Sequence, residues 1–294
     1  MMRILIMLCL SITLIAGEGE RFPLWNELAP IGDGKSEVAP AEAIITLHRP
    51  AQPNGVALVI CPGGGYGIRV SGGEGHGIAA WLNTHGITGV VLDYRLPKGR
   101  SAVPLLDAQR AIRLVRARAK EWNIDEKHIG IIGFSAGGHL AASATTLFEL
   151  GDATSSDMVQ QQSSRPDFSL LIYPVTSMQD GITHQRSRKN LLGENPTPEL
   201  VQRFSTEFQV GKETPPVYLA HAIDDKIVII ENSRVFLAAM RAAMRPVELL
   251  ELPNGGHGLN GYKGPSWDAW QRGSLEWLAT IGVLEASVLE TGKK

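Results

Sequence analysis

Gly133-Phe134-Ser135-Ala136-Gly137 is a Gly-x-Ser-x-Gly segment, and its flanks give it meaning. An apolar run of strand type ends at Ile132 and an Ala-rich helical stretch begins at Gly138, so the serine falls in a strand-to-helix turn. Glycines two before and two after it leave room for a sharp turn that holds the hydroxyl at the end of a sheet. The N-terminus of the following helix then lies beneath developing negative charge. The chemistry that suits this arrangement is nucleophilic acyl transfer, with Ser135 as the nucleophile.

A serine hydroxyl attacks poorly until a base takes its proton and a third group orients that base. His257, in Asn254-Gly255-Gly256-His257-Gly258, has the best context of the eight histidines, because glycines let the loop after a strand turn the imidazole back over the sheet. His139 falls on the helix behind the serine and reads as a packing or polar contact. His76, His85, His128 and His221 sit at loop or strand edges and read as structural or surface residues, as do His48 and His184. For the carboxylate, His221-Ala222-Ile223-Asp224-Asp225-Lys226-Ile227-Val228 closes a strand and precedes a helix, and both Asp224 and Asp225 qualify. Either one gives the chain order Ser, Asp, His, which is the order of the α/β-hydrolases.

The tetrahedral intermediate also needs N–H donors aimed at its oxyanion. Cys61-Pro62-Gly63-Gly64-Gly65-Tyr66-Gly67 follows an apolar run and sets three bare backbones side by side, and the Ala136 amide supplies a further donor. The stretch lacks the Gly-Lys-Ser/Thr ending of a P-loop and the spacing of a dinucleotide fingerprint. No set of His, Cys, Asp and Glu has metal-ligand spacing, so no cofactor is expected.

To bring a serine, an acid and a histidine together, several strand ends must meet at one end of a sheet. Apolar runs at 56–61, 88–92, 129–132, 169–173, 217–220 and 247–252 have the length of strands buried on both faces. Segments of helical period lie between them, at 79–83, 104–122, 138–148, 233–244 and 267–281. This alternation predicts an α/β fold with a mainly parallel central sheet flanked by helices. In the 104–122 segment Leu105, Ala108, Ile112 and Val115 share an apolar face, opposite a polar one that carries Asp107, Arg110, Arg113, Arg116 and Lys120. Residues 176–212 break the alternation. They are polar, carry Arg186-Ser187-Arg188-Lys189-Asn190, and read as an insertion over one edge of the sheet, either a lid or a solvated excursion. A Pro/Gly-rich lead-in at 22–40 comes first, and no repeat or linker divides the chain, so residues 22–284 are expected to form one domain.

A chain of 294 residues with 44% hydrophobic and 20% charged residues is not disordered. Its 28 Lys+Arg against 30 Asp+Glu leave no basic field for nucleic acid or an anionic membrane. Cys9 and Cys61 are too few for a disulfide framework, and Cys61 is expected to be a buried, small apolar residue. Met1-Met2-Arg3, an apolar run at 4–16 and the polar Gly17-Glu18-Gly19-Glu20-Arg21 read as a signal peptide over residues 1–17, cleaved near Ala16 or Gly17. The run is too short to span a bilayer. A secreted or periplasmic protein with no stable membrane insertion after processing is expected.

Over residues 24–284 the chain resembles the α/β-hydrolase esterases of the bacterial acetylxylan and feruloyl esterase group. The likeness rests on Cys61-Pro62-Gly63-Gly64-Gly65-Tyr66, Leu92-Asp93-Tyr94-Arg95-Leu96, Gly133-Phe134-Ser135-Ala136-Gly137-Gly138-His139-Leu140-Ala141, the Asp224-Asp225 pair and Gly255-Gly256-His257-Gly258. It implies an α/β-hydrolase fold and a serine esterase acting on short acyl esters, above all acetyl groups on a plant polysaccharide such as xylan. In similar proteins the acid lies four residues beyond the histidine of a His-Gly-x-x-Asp-x-x-Val-like segment. His221 plus four selects Asp225, with Val228 in register, although Ala222 stands where glycine is common and Ile229 where proline often follows. The resemblance also implies an oxyanion hole from amides among Gly63, Gly64 and Gly65 together with Ala136, pocket-lining roles for Tyr66 and Glu74, and for Asp93 and Arg95 either a place in the site or, the preferred reading, a structural pair at a strand end. Two other readings share the motifs: the same triad acting on a peptide or aryl formamide bond, and a non-catalytic hydrolase-fold binding protein. Trp270 and Trp277, seven apart in a helical segment, read as core rather than as a sugar platform.

Overall fold

The structure, a computed structural model, describes residues 19–26, 28–38 and 43–285. The leader read at residues 1–17 lies outside them. Strands form at β1 (Glu20–Pro23), β2 (Leu28–Pro30), β3 (Ser36–Val38), β4 (Ile44–His48), β5 (Ala57–Cys61), β6 (Thr88–Asp93), β7 (Ile129–Phe134), β8 (Ser169–Ile172), β9 (Val217–Ala222) and β10 (Val247–Leu252). Helices form at α1 (Gly77–Thr84), α2 (Ala102–Ala117), α3 (Ser135–Thr146), α4 (Gln185–Leu192), α5 (Pro198–Phe204), α6 (Glu231–Ala242), the irregular turn α7 (Leu259–Tyr262) and α8 (Pro265–Thr280). One eight-stranded sheet has the order β1-β4-β6-β5-β7-β8-β9-β10, and β2 and β3 form a separate hairpin. Neighbours from β6 to β10 in that order pair in parallel, whereas β4 is antiparallel to both β6 and β1.

The central strands read as unbroken apolar runs because both of their faces are covered. Val59, Val90, Leu92, Ile131, Leu171 and Leu219 pack with α2, α3 and α6. Their alternating neighbours Leu58, Ile60, Val91, Ile132, Leu170 and Ile172 pack with α1 and α8. Trp270 and Trp277 belong to this second layer, and Cys61 is fully buried in the first. No helix among the described residues is long and apolar enough to cross a membrane.

The structure departs from the sequence reading at the N-terminal strands and along α2. Strands form before residue 56, where none is expected, because β1 is ordered by pairing with β4, as in Glu20 opposite Leu47, and β4 by pairing with β1 and β6. Helix α2 stops at Ala117, short of residue 122, and Trp122 is carried into the core by the turn that follows. The polar face of α2 is buried, with Asp107, Arg110 and Arg113 each less than a tenth exposed. The N-terminal segment covers it: Trp25 Nε1 donates to Asp107 Oδ1 (2.7 Å) and Arg110 Nε to the Leu24 carbonyl (3.2 Å).

Residues 176–212, between β8 and β9, carry α4 and α5 and lie over the carboxyl ends of central strands rather than beside an edge strand. Asn190 Nδ2 donates to the Gly65 carbonyl (2.7 Å), and the Gly99 amide donates to the Asn190 carbonyl (2.9 Å). Further along, the Phe204 carbonyl accepts from His139 Nε2 (2.7 Å) on α3. A cavity of about 1190 Å³ lies elsewhere, between the N-terminal segment and α2, and touches none of the candidate site residues.

Candidate active site

Strand β7 runs in extended conformation to Phe134, and the chain reverses sharply at Ser135, whose φ is 54°. A left-handed φ costs an L-residue about 1–2 kcal/mol, so packing must hold the turn. Its neighbours show how tight that packing is. A Cβ on Gly133 would come within 2.1 Å of the Gly137 carbonyl oxygen, and one on Gly137 within 2.1 Å of the Cys61 carbonyl oxygen. The two motif glycines therefore serve close approach, and only the serine between them takes the strained conformation. Ala136 lies in the first turn of α3, where a backbone N–H has no partner within the helix.

Three side chains converge on this turn. His257 Nδ1 donates to Asp225 Oδ2 (2.7 Å), which leaves Nε2 to accept from the Ser135 hydroxyl (2.9 Å). Asp225 is fully buried on its side chain, and its other oxygen accepts from the amides of Ile227 (2.9 Å) and Val228 (3.0 Å). Burial alone raises its pKa, but hydrogen bonds from His221 and His257 outweigh that effect and hold the carboxyl well below the usual range. The arrangement is a nucleophile, an oriented base and an ionised acid in series.

The aspartates 224 and 225, equivalent by residue type, do different work. Asp224 accepts from the amides of Gly256 (2.8 Å) and Gly255 (3.3 Å), so it anchors the loop that carries His257 and does not touch the imidazole through any hydrogen bond. His221 is buried rather than at the surface. Its Nε2–H donates to the Val228 carbonyl (2.8 Å) and lies 3.3 Å from Asp225 Oδ2, while Nδ1 accepts from Ser233 Oγ (2.8 Å).

The glycine loop after β5 comes up against the serine: a Cβ on Gly63 would stand 3.1 Å from Ser135 Cβ. Gly63 donates its amide to Glu74 Oε2 (2.8 Å). It is thus committed within the protein, whereas the amides of Gly64 and Gly65 donate to no protein acceptor among the described residues. The available donors are therefore Gly64, Gly65 and Ala136, and Gly63 drops out of the candidate set.

Glu74 and Tyr66 stand behind this loop, not in a pocket. Glu74, on the π-helical turn Gly72–His76, is buried, and its Oε1 accepts from Tyr173 Oη (2.9 Å) and Tyr262 Oη (3.1 Å). Burial raises its pKa, and the Gly63 amide and the two tyrosines offset part of that. Tyr66 is also buried and donates its hydroxyl to His139 Nδ1 (2.8 Å). Asp93 and Arg95 do not pair with each other. Asp93 accepts from Ser71 Oγ (3.1 Å), while the buried Arg95 binds Asp107 Oδ1 at 2.7 Å and Glu37 at 3.0 Å.

Four residues near the site carried no recognised sequence signal. The Tyr173 ring lies 5.0 Å from the His257 ring, at the end of β8, and Tyr262 follows the histidine loop. His184 and Arg186 come from the insertion. Burial, and after it the charges of His257 and Arg186, hold the His184 pKa below its ordinary value.

The family model BD-FAE matches residues 46–240. An acetylxylan esterase of Xylanibacter ruminicola is 36% identical over 256 residues, covering 86% of this chain and 48% of that protein. Endo-1,4-beta-xylanase B of Butyrivibrio fibrisolvens is 35% identical over 228 residues, covering 76% of this chain and 35% of that protein. The chain thus spans about half the length, or less, of these curated relatives. Among solved structures, the acetyl ester-xyloside bifunctional hydrolase of Caldicellulosiruptor lactoaceticus superposes with a TM-score of 0.84 at 37% identity, over 92% of this chain and all of that one. A thermophilic esterase of Thermogutta terrifontis shares the fold, with a TM-score of 0.71 at 22% identity over 92% of this chain and 95% of that one.

Proposed function

The chain belongs to the BD-FAE family of α/β-hydrolases, and from that premise we propose that it is an exported serine carboxylesterase that removes short acyl groups, acetyl first, from a plant polysaccharide such as acetylated xylan. The observation that carries the reading is the hydrogen-bonded series Ser135 Oγ, His257, Asp225 at 2.9 and 2.7 Å. The names of the relatives support the substrate class, and the leader-like residues 1–17 support export.

In this reading Ser135 Oγ attacks the ester carbonyl carbon as its proton passes to His257 Nε2, and ionised Asp225 stabilises the imidazolium. The carbonyl oxygen becomes an oxyanion that accepts from the Ala136 amide and from Gly64 or Gly65, at the positive end of α3. The imidazolium then protonates the leaving alcohol oxygen, leaving an acyl-Ser135 ester. Water, deprotonated by His257, attacks that ester, and its collapse releases the carboxylate and restores the serine.

Acetate release from acetylated xylan and turnover of p-nitrophenyl acetate, each with Ser135→Ala as the blank, test the proposal. Release from both substrates that disappears in the variant is the expected result. Turnover that survives Ser135→Ala overturns the mechanism, and turnover confined to the small ester overturns the polysaccharide assignment.

A further inference from the structure

The insertion presents three cations in four residues, Arg186, Arg188 and Lys189, and their surroundings differ. Arg188 pairs with Asp180, and Lys189 with Glu194 at 2.6 Å. Arg186 is exposed and has no acidic partner and no hydrogen bond within the protein among the described residues. Its position is nonetheless defined. A Cβ on Gly65 would meet Arg186 Cδ at 3.5 Å, and a Cβ on Gly67 would meet Arg186 Nη2 at 3.4 Å and Asn190 Nδ2 at 3.1 Å. Gly67 lies outside the positive-φ residues, so its backbone does not demand glycine; the space beside it is what α4 occupies. Asn190, one turn further along α4, clamps that helix to the Gly65 carbonyl.

An exposed guanidinium thus rests on the loop that offers the oxyanion donors, held by its stem and its helix, with its N–H fork unmatched. A planar fork of this kind is suited to a carboxylate, which it binds through two parallel hydrogen bonds. We propose that Arg186 forms a carboxylate subsite at the mouth of the active site, so that the preferred ester is one whose alcohol portion carries an acidic sugar, as in xylan bearing uronic acid branches. The inference rests on the esterase reading for its substrate, but its recognition step is a binding event that can be measured without turnover.

The test uses the full chain carrying Ser135→Ala, titrated with a xylo-oligosaccharide bearing one uronic acid branch and with its carboxyl-reduced, neutral counterpart. The acidic ligand is expected to bind about two- to fivefold more tightly, a preference that a screened surface charge pair can supply. Arg186→Gln should erase that preference, Arg186→Lys should keep part of it, and raising salt to about 0.5 M should weaken it. Equal affinity for the two ligands, no measurable binding of the acidic one, or a preference that persists in Arg186→Gln overturns the subsite. In parallel, acetate release by the unmodified chain is measured on acetylated xylan before and after its uronic acid branches are removed. No release from either polymer, with the acidic preference in binding intact, counts against the esterase reading alone. Release without any acidic preference counts against the subsite alone.

Discussion

Gly63 gives its amide hydrogen to Glu74 Oε2 at 2.8 Å, so the first glycine of the loop facing the serine is held by a buried carboxylate instead of facing a substrate. Through its other oxygen the same carboxylate takes the hydroxyls of Tyr173 and Tyr262, which stand at the end of β8 and just after the histidine loop. All three contacts use the carboxylate as acceptor, and a glutamine keeps an acceptor at one end only, turning its NH2 either to the Gly63 amide or to the two tyrosine hydroxyls. Glu74→Gln is expected to lower kcat on p-nitrophenyl acetate by about 30-fold, with KM changed far less, because a small shift of the oxyanion donors weakens transition-state binding. Steady-state kinetics, with near-UV circular dichroism as a check on folding, measure it; an unchanged kcat would remove Glu74 from the positioning of this loop.

The division of labour between the two adjacent aspartates predicts unequal variants. Asp225→Asn leaves His257 without an anion and frees it to adopt the wrong tautomer, so kcat should fall by about 10³- to 10⁴-fold. Asp224→Asn keeps an oxygen that can accept from the amides of Gly255 and Gly256, and a loss of about tenfold or less is expected. Equal losses in the two variants, measured side by side on one ester, would contradict the assignment of Asp225.

Arg95 and Asp107 are both almost wholly buried and bonded to one another, and the Arg95 amide also donates to Asp107 Oδ2 at 2.8 Å. Removing Asp107 leaves the buried Arg95 with only the half-exposed Glu37 as an anion. Asp107→Ala should therefore cost about 3–5 kcal/mol of stability, readable as a lower midpoint in urea unfolding. A change below about 1 kcal/mol would show that the pair contributes little beyond its packing.

His139 is fully buried, donating from Nε2 to the Phe204 carbonyl and accepting from Tyr66 at Nδ1, and burial brings its pKa down from 6.5 to about 4. Between those values the unfolded chain binds a proton that the folded chain refuses, so this histidine lowers stability as pH falls through that window and has no such effect above it. The loss should approach roughly 3 kcal/mol by its lower end. Urea unfolding between pH 7 and pH 4 follows it, and His139→Gln, which keeps both a donor and an acceptor, should flatten this part of the profile.

What the sequence by itself determined was the class of fold and the chemistry of the turn. Continuous apolar runs record strands covered on both faces, and they are local in the chain, so the parallel centre of the sheet was legible down to its strand boundaries within a residue or two. Gly133, Ser135 and Gly137 were legible for the same reason, because a strained turn must be built from residues adjacent in sequence. His257 stood out through the glycines around it. Asp225 did not by residue type alone, and only its register with His221, carried by the family resemblance, separated it from Asp224.

Only the tertiary structure decided the contacts made between distant segments. It assigned Asp224 to the amides of the histidine loop and Asp225 to the imidazole, because two successive residues leave a loop in different directions. It removed Gly63 from the free donors and placed Glu74 behind it, a pairing of residues eleven apart that no period encodes. It buried the charged face of α2 beneath β1 and the segment after it, since a helix pattern records polarity but not whether another part of the chain brings matching partners. And it set Arg186 on a glycine loop some 120 residues earlier in the chain, a contact between distant segments that no local pattern records.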